Sequence, residues 1–197
     1  SSYDDTIIGS SATETIEAGD GDDIVQASAG GDTLWGGAGH DTLSLAGSKV
    51  GVNIDITDSS GQDLGDLGRV DFQDFEGVIG SDYSDTFSFR SATDGQALTI
   101  DGQGGFNTLD FSDYSSVDAT VTTYSVTLDL GNGESFSVNY TNIAAIQFSD
   151  AFIDPAFVID PNLAPVANAG ADQTVNEGDL VSLDGRTSSD PESSALT

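Results

Sequence analysis

The chain contains no cysteine, a single histidine and only four basic residues among 197. Without cysteine it can form neither disulfides nor thiolate metal sites, and one histidine is too few for a zinc cluster. Against the few basic residues stand 34 acidic ones, and the formal net charge of −30 disfavours nucleic acid and anionic membrane surfaces as partners. No apolar run approaches the roughly 20 residues that span a bilayer, so we expect no membrane insertion.

Apolar residues are nevertheless plentiful, since 37% of the chain is hydrophobic and it contains 10 Phe and 5 Tyr. This content is too high for a solvated acidic tail. High salt can screen the charge of a folded acidic protein, and bound divalent cations can neutralise carboxylates directly. The chain opens at SSYDD, without Met or a signal-type apolar segment, which indicates a piece of a larger protein.

Carboxylates recur every nine residues over the first 41 positions. They are Asp5, Glu14, Asp23, Asp32 and Asp41. An aliphatic residue follows each carboxylate at a distance of two, at Ile7, Ile16, Val25, Leu34 and Leu43, and the residue between is β-branched in every unit, which favours a strand. A unit this short cannot bury its lone aliphatic residue, so successive units must stack. Trp35 follows the inward Leu34 and should therefore face outward.

The complete form of this unit is GGAGHDTLS, at residues 36–44. It resembles the Gly-Gly-x-Gly-x-Asp-x-U-x nonapeptide of the RTX family, where U is a large apolar residue. AGDGDDIVQ and ASAGGDTLW lose one or both leading glycines, and GSSATETIE has Glu in place of Asp. The resemblance implies a right-handed parallel β-roll with two repeats per coil, which would place Asp5, Asp23 and Asp41 on one edge and Glu14 and Asp32 on the other.

The resemblance also implies several bound calcium ions, each between vertically adjacent turns and ligated by two alternate carbonyls and the acidic residue of each turn. Calcium takes about 6–8 oxygen ligands, and glycine turns let carbonyls converge. The implied sets are Ser1, Tyr3 and Asp5 with Ala18, Asp20 and Asp23; Gly19, Gly21 and Asp23 with Gly36, Ala38 and Asp41; and Ser10, Ala12 and Glu14 with Ala27, Ala29 and Asp32. Gly/Asp clusters are also ordinary turn chemistry, and an ion-free turn is the alternative at each.

After residue 46 the strict period ends, but its cadence returns in GSDYSDTFS and GQGGFNTLD. Asp85 and Asn107 occupy the carboxylate position there and are further candidate ligands. The sequence SVTLDLGNGESFSVNY predicts a β-hairpin around residues 131–133. We therefore predict an all-β protein with a regular roll at 1–46 and an irregular solenoid continuation that caps it at 47–160.

The sequence changes character from Pro161, where DPNLAP predicts a stiff linker at 161–165. Residues 166–197 resemble the first strands of a PKD-type Ig-like domain, through NLAPVANAG, DQTVNEGDLVSLDG and SSDPE. Such a sandwich takes about 100 residues, so the segment corresponds to a truncated N-terminal part.

No Gly-x-Ser-x-Gly, Ser/His/Asp grouping or His-Glu-x-x-His motif is present, so we predict no intrinsic catalysis. Two classes of function remain. In the first, the chain is a calcium-dependent structural module of a large bacterial adhesin, extracellular or on the cell surface, exported by type I secretion. Its partners would be calcium, neighbouring domains and cell-surface or biofilm components. In the second, it is an accessory domain of a secreted hydrolase whose catalytic domain lies elsewhere, or a surface-layer component. The Ig-like segment downstream favours the adhesin.

Overall fold

Short strands separated by tight turns make up the described part of the chain, which is residues 1–157 and Gly178 of a computed structural model. The first eight strands are β1 (Thr6–Ile8), β2 (Thr15–Asp20), β3 (Ile24–Gln26), β4 (Thr33–Ala38), β5 (Thr42–Ser44), β6 (Asn53–Asp55), β7 (Gln62–Asp63) and β8 (Arg69–Gln73). The remaining nine are β9 (Gly77–Ile79), β10 (Thr86–Ser88), β11 (Ala97–Asp101), β12 (Thr108–Phe111), β13 (Ala119–Val121), β14 (Ser125–Gly131), β15 (Glu134–Thr141), β16 (Ala145–Phe148) and β17 (Phe152–Ile153). Three 3-10 turns lie at Gly65–Leu67, Ser116–Asp118 and Pro155–Phe157.

Most of these strands pair in parallel with strands of the neighbouring coils, as in a solenoid. The pairs β7–β8, β13–β14, β14–β15 and β16–β17 are antiparallel. The first sheet has the order β1-β3-β5-β9-β11-β15-β14-β13 and runs along the whole stack. Two further sheets contain the other strands of the coils. The second has the order β2-β4-β8-β7, and the third has the order β17-β16-β12-β10-β6. The predicted all-β parallel solenoid is confirmed. The predicted linker and Ig-like segment lie outside the described residues, Gly178 apart.

The stack is held in register by the aliphatic residue of each strand. In the first sheet Ile7 pairs with Val25, Val25 with Leu43, and Leu43 with Val78. Val25 and Leu43 are fully buried, and burying such a side chain contributes about 1.5–3 kcal/mol. Trp35 is 42% exposed and faces outward, as its position after the buried Leu34 predicts.

The chain leaves the regular coil after β5 and returns at β8, over residues 45–68. On this excursion it forms β6, which pairs with β10 in the third sheet. It then forms β8, which pairs with β4 in the second sheet. Strand order along the chain therefore differs from strand order in the stack.

The later coils contain a ladder of buried aromatic rings. Phe89 stacks on Phe111 with ring centroids 4.5 Å apart, and Phe111 stacks on Phe148 at 5.6 Å. The predicted hairpin joins β14 to β15 through Asn132, whose φ of 56° suits a tight hairpin turn. These coils thus have an apolar core larger than the single aliphatic residues of the first ones. Among the described residues, no helix has the length and apolar character needed to cross a bilayer.

Candidate calcium sites

Carboxylates connect successive coils along two edges of the solenoid. On the first edge the backbone N–H of Asp5 donates to Oδ1 of Asp23 (2.7 Å), and that of Asp23 donates to Oδ1 of Asp41 (2.8 Å). On the second edge the N–H of Glu14 donates to Oδ1 of Asp32 (3.0 Å). We call the turns 1–5, 18–23 and 36–41 the first column, and the turns 9–14 and 27–32 the second column.

Glycines let the turns of the first column approach each other closely. Gly37 has a φ of +118°, and a Cβ there would overlap the carbonyl oxygen of Gly19. A Cβ at Gly21 would lie 2.7 Å from the carbonyl oxygen of Tyr3. Since real Cβ atoms do not come that close, only glycine permits this stacking.

The carbonyls in the predicted ligand sets point between the turns of the first column. The carbonyl oxygens of Ser1, Tyr3, Gly19 and Gly21 lie 2.7 Å or less from the position that a Cβ would take on the glycine stacked next to each of them. From the opposite turns, the oxygen of Ala18 accepts the terminal amine of Ser1 (2.7 Å), and that of Ala38 accepts the N–H of Gly21 (2.9 Å). Asp20 lies in register with Ala38 and is therefore its equivalent one coil earlier. In each pair of neighbouring turns, both turns contribute carbonyl oxygens to the space between them.

Two buried carboxylate oxygens of the first column have no hydrogen-bond partner. They are Oδ2 of Asp23 and Oδ2 of Asp41, and both residues are 0% exposed. The space beside Oδ2 of Asp41 is open only because residue 36 is glycine, since a Cβ there would lie 2.7 Å from this oxygen. A buried carboxylate oxygen without a partner is costly, and a bound cation is the partner that would remove this cost.

Burial raises the pKa of Asp41 above its ordinary value, although the hydrogen bond from the N–H of Asp23 opposes the shift. The nearby carboxylates of Asp23, Glu76 and Asp22 raise it further. The site therefore combines desolvation with mutual repulsion of carboxylates, which a divalent cation would relieve.

The donor set fits calcium. Within residues 1–157 no three His, Cys, Asp or Glu side chains converge, so backbone carbonyls must complete any site. Carboxylate and carbonyl oxygens are the hard ligands that Ca²⁺ takes.

The second column satisfies its carboxylates with serine hydroxyls. Ser10 donates to Glu14 through its hydroxyl (2.5 Å) and its N–H (2.7 Å), and these bonds lower the pKa of Glu14. The hydroxyl of Ser28 donates to Oδ2 of Asp32 (3.0 Å). The carbonyl oxygen of Ala12 lies 2.6 Å from the position that a Cβ would take on Gly30. Of the other two predicted ligands, Ala27 is buried and Ala29 exposed.

At Asp85 a serine hydroxyl again donates to the carboxylate. Oδ1 of Asp85 accepts the hydroxyl of Ser81 and the N–H of Val52, both at 2.7 Å, and Oδ2 accepts the N–H of Ser81 at 2.7 Å. Both oxygens of this buried carboxylate are thus occupied by the protein itself.

At Asn107 the side-chain amide nitrogen faces three backbone carbonyls. Its Nδ2 donates to the carbonyl oxygens of Gly102 (2.7 Å), Gly104 (2.9 Å) and Asn142 (3.0 Å), and its Oδ1 accepts the N–H of Asp85 (2.9 Å). Asn107 therefore presents hydrogen atoms to these carbonyls, and its amide connects two turns.

A sequence signal that distinguishes these turns lies four residues before each carboxylate. Serine is found there for Glu14, Asp32 and Asp85, and glycine for Asp23 and Asp41. Asp5 also has a serine there, Ser1, but this hydroxyl accepts the N–H of Tyr3 and does not close the carboxylate. The hydroxyl of each of the other three serines occupies a carboxylate oxygen, whereas glycine has no side chain to offer it. The nine-residue period alone could not show this difference.

The profile of the RTX calcium-binding nonapeptide repeat matches the chain in four copies, over residues 8–43. Residues 8–43 are RTX repeats. Repeats of this kind form β-rolls and bind several calcium ions per array, and they are a structural motif. The turns 18–23 and 36–41 of the first column and both turns of the second column lie within the matched residues, and the turn 1–5 precedes them. No curated protein matches the chain.

Proposed function

We propose that the roll folds in response to calcium and serves as a structural module without catalysis of its own. The buried, unpartnered Oδ2 atoms of Asp23 and Asp41 carry this proposal. The proposed ions lie in the first column. One takes Ser1, Tyr3 and Asp5 with Ala18, Asp20 and Asp23, and the other takes Gly19, Gly21 and Asp23 with Gly36, Ala38 and Asp41.

Calcium would supply the positive charge that the stacked carboxylates need. Because these ligands converge only in the folded coil, calcium binds the native state and stabilises it by linkage. At a calcium concentration of 100 times Kd, one ion contributes about 2.7 kcal/mol. Without calcium, repulsion among the buried carboxylates of the first column opposes stacking.

The proposal leaves the second column and the later turns free of ions. Ser10 and Ser28 already satisfy the carboxylates of Glu14 and Asp32, so the set of Ser10, Ala12, Glu14, Ala27, Ala29 and Asp32 has no unpartnered buried oxygen. Ser81 does the same for Asp85, and Asn107 replaces an ion with an amide.

The protein containing this chain is, in our proposal, a large secreted or surface-exposed bacterial adhesin. The excess of carboxylates suits an extracellular environment, where calcium-binding modules have affinities of about 10⁻⁴–10⁻³ M. The proposed PKD-type domain at residues 166–197 would suit a multidomain surface protein. Immunolabelling of intact cells, before and after surface proteolysis, tests this location. A signal confined to permeabilised cells would contradict it.

Circular dichroism and thermal melting of the 197-residue chain test the calcium response. Samples in EDTA, calcium and magnesium at matched ionic strength separate a specific ion from general screening. We expect calcium to add β-structure and to raise Tm, and magnesium to do so much less. Equal stability in all three conditions would leave the glycine turns as ordinary turns.

A further inference from the structure

Glu76 continues the first column beyond the RTX repeats. The N–H of Asp41 donates to its Oε2 (3.0 Å), as the N–H of Asp23 donates to Asp41 one coil earlier. The strands that follow are in register, since Leu43 pairs with Val78. Glu76 thus takes the carboxylate position of the next coil, although it lies 35 residues from Asp41 and not eighteen, because the excursion intervenes.

The segment before Glu76 brings a carbonyl to the same gap. Trp35 pairs with Gln73, which places Asp74 beside Gly36, and a Cβ on Gly36 would overlap the carbonyl oxygen of Asp74. Asp74 has a φ of +60°, a left-handed conformation that is uncommon outside glycine.

This junction holds unpaired negative charge. Oδ2 of Asp41 is buried without a partner, and the hydrogen bond from Asp41 uses Oε2 of Glu76, leaving Oε1 for another partner. Within residues 1–157 the one ion pair, between Arg90 and Asp55 at 3.9 Å, lies elsewhere. No basic side chain there is paired with Asp41 or Glu76.

We propose that a further calcium ion binds between the turn 36–41 and the segment 74–76. Its ligands would be the carboxylates of Asp41 and Glu76 and the carbonyl oxygens of Gly37, Gly39 and Asp74. Gly37 and Gly39 are the equivalents of Gly19 and Gly21 in the turn below. Asp41 would be shared between two ions, as Asp23 is in the sites proposed above. The ion would fasten the regular repeats to the irregular coils.

This inference rests on the proposed calcium function, and counting ions tests the two separately. Native mass spectrometry and equilibrium dialysis with ⁴⁵Ca²⁺ give the number of ions per chain. Glu76→Gln keeps an oxygen for the N–H of Asp41 but loses the charge, and we expect it to bind one ion fewer than the wild type. Glu134→Gln, at an exposed position in β15, is the matched control and should bind the wild-type number.

The single tryptophan gives a local readout of the same site. Trp35 directly precedes Gly36, so terbium bound at the junction should show luminescence sensitised by this indole. We expect Glu76→Gln to lower the sensitised signal at saturation and Glu134→Gln to leave it unchanged. Calcium should displace the probe from the wild type.

The outcomes distinguish the two proposals. If the wild type binds no calcium, both fail. If wild type and Glu76→Gln bind the same number of ions with equal terbium luminescence, the Glu76 site alone is refuted. Should Glu76→Gln fail to fold, Glu76→Asp keeps the charge with a shorter reach. This variant should bind one calcium ion with at least tenfold lower affinity, and unchanged affinities for all ions would refute the site.

Discussion

Glycine stands four residues before Asp23 and Asp41, whereas serine stands four residues before Asp32 and Asp85. This difference at one position decides how each buried carboxylate is satisfied. A serine hydroxyl provides a permanent hydrogen bond to the carboxylate, whose net contribution is about 1.5–3 kcal/mol. A glycine provides no such partner, so in our proposal the stability of that turn depends on the calcium concentration.

Replacing Asp41 by Asn should separate folding from calcium binding. The Asn side chain keeps an oxygen for the N–H of Asp23, and it removes a buried negative charge. We expect stability in EDTA to stay equal or rise by about 1–3 kcal/mol. The stabilisation by calcium should fall by at least about 2.7 kcal/mol at 100 times Kd. Denaturant unfolding in EDTA and in calcium measures both.

Asp129→Asn is a suitable control for this substitution, because Asp129 is exposed in β14. Its calcium-induced stabilisation should match that of the wild type. If Asp41→Asn also keeps the full calcium effect, the first column does not hold the ions.

Replacing Asn107 by Asp should turn a turn that the amide connects by hydrogen bonds into one that needs a cation. The three carbonyls that accept from Nδ2 would face a carboxylate instead. Burying that charge without a partner should cost about 3–5 kcal/mol in EDTA. Calcium should restore part of the loss, because carboxylate and carbonyl oxygens are its preferred ligands.

Thermal melts of Asn107→Asp in EDTA and in calcium provide this comparison. Asn139→Asp, at an exposed position of β15, should change little in either condition. A loss at Asn107 that calcium does not reduce would show that this turn cannot accept an ion.

At the scale of the element, stacking depends on the close approach of neighbouring turns. Gly37 and Gly95 both have positive φ, of +118° and +75°. A Cβ at Gly37 meets the backbone of the turn below, whereas at Gly95 nothing lies within 4 Å. Both positions therefore favour glycine for its positive φ, but only Gly37 is also required because a side chain would clash with the neighbouring turn.

Gly37→Ala should destabilise the calcium-bound protein by more than about 3 kcal/mol, since conformational strain adds to a clash with backbone atoms. Gly95→Ala should cost only about 1–2 kcal/mol, the conformational part alone. Chemical denaturation in calcium compares them. Equal losses would mean that the turns do not depend on close stacking.

Parts of this architecture could be predicted from local pattern. The nine-residue period predicts β1 to β5, and Gly131-Asn132-Gly133 predicts the hairpin, because each depends on neighbouring residues. The pairing of β6 with β10 across the excursion leaves no periodic trace. Glu76 was missed for the same reason, and the closure by Asn107 became visible only through the contacts of its amide.

At the scale of the molecule, the two halves of the solenoid are stabilised differently. The first coils combine single aliphatic residues with unpartnered carboxylates. The later coils have the Phe89–Phe111–Phe148 ladder and turns closed by Ser81 and Asn107. Ring stacking and large buried aromatic area do not depend on calcium.

Hydrogen exchange should show this division directly. In EDTA we expect slow exchange for backbone amides of β10, β12 and β16, and fast exchange for those of β1 to β5. In calcium both groups should be protected, because local opening of the first coils then requires release of the ions. Uniform exchange along the chain in EDTA would contradict two separately stabilised halves.

The placement of β6 determines how the solenoid should unravel under tension. A force applied at the N-terminus would detach β1 to β5 from the neighbouring coils one coil at a time. The next segment, β6, is paired with β10, about thirty residues further along the chain. Because β6 is the end strand of its sheet, breaking this pair would release the whole excursion at once. Under tension the protein should therefore lengthen in steps of one coil and then in one longer step.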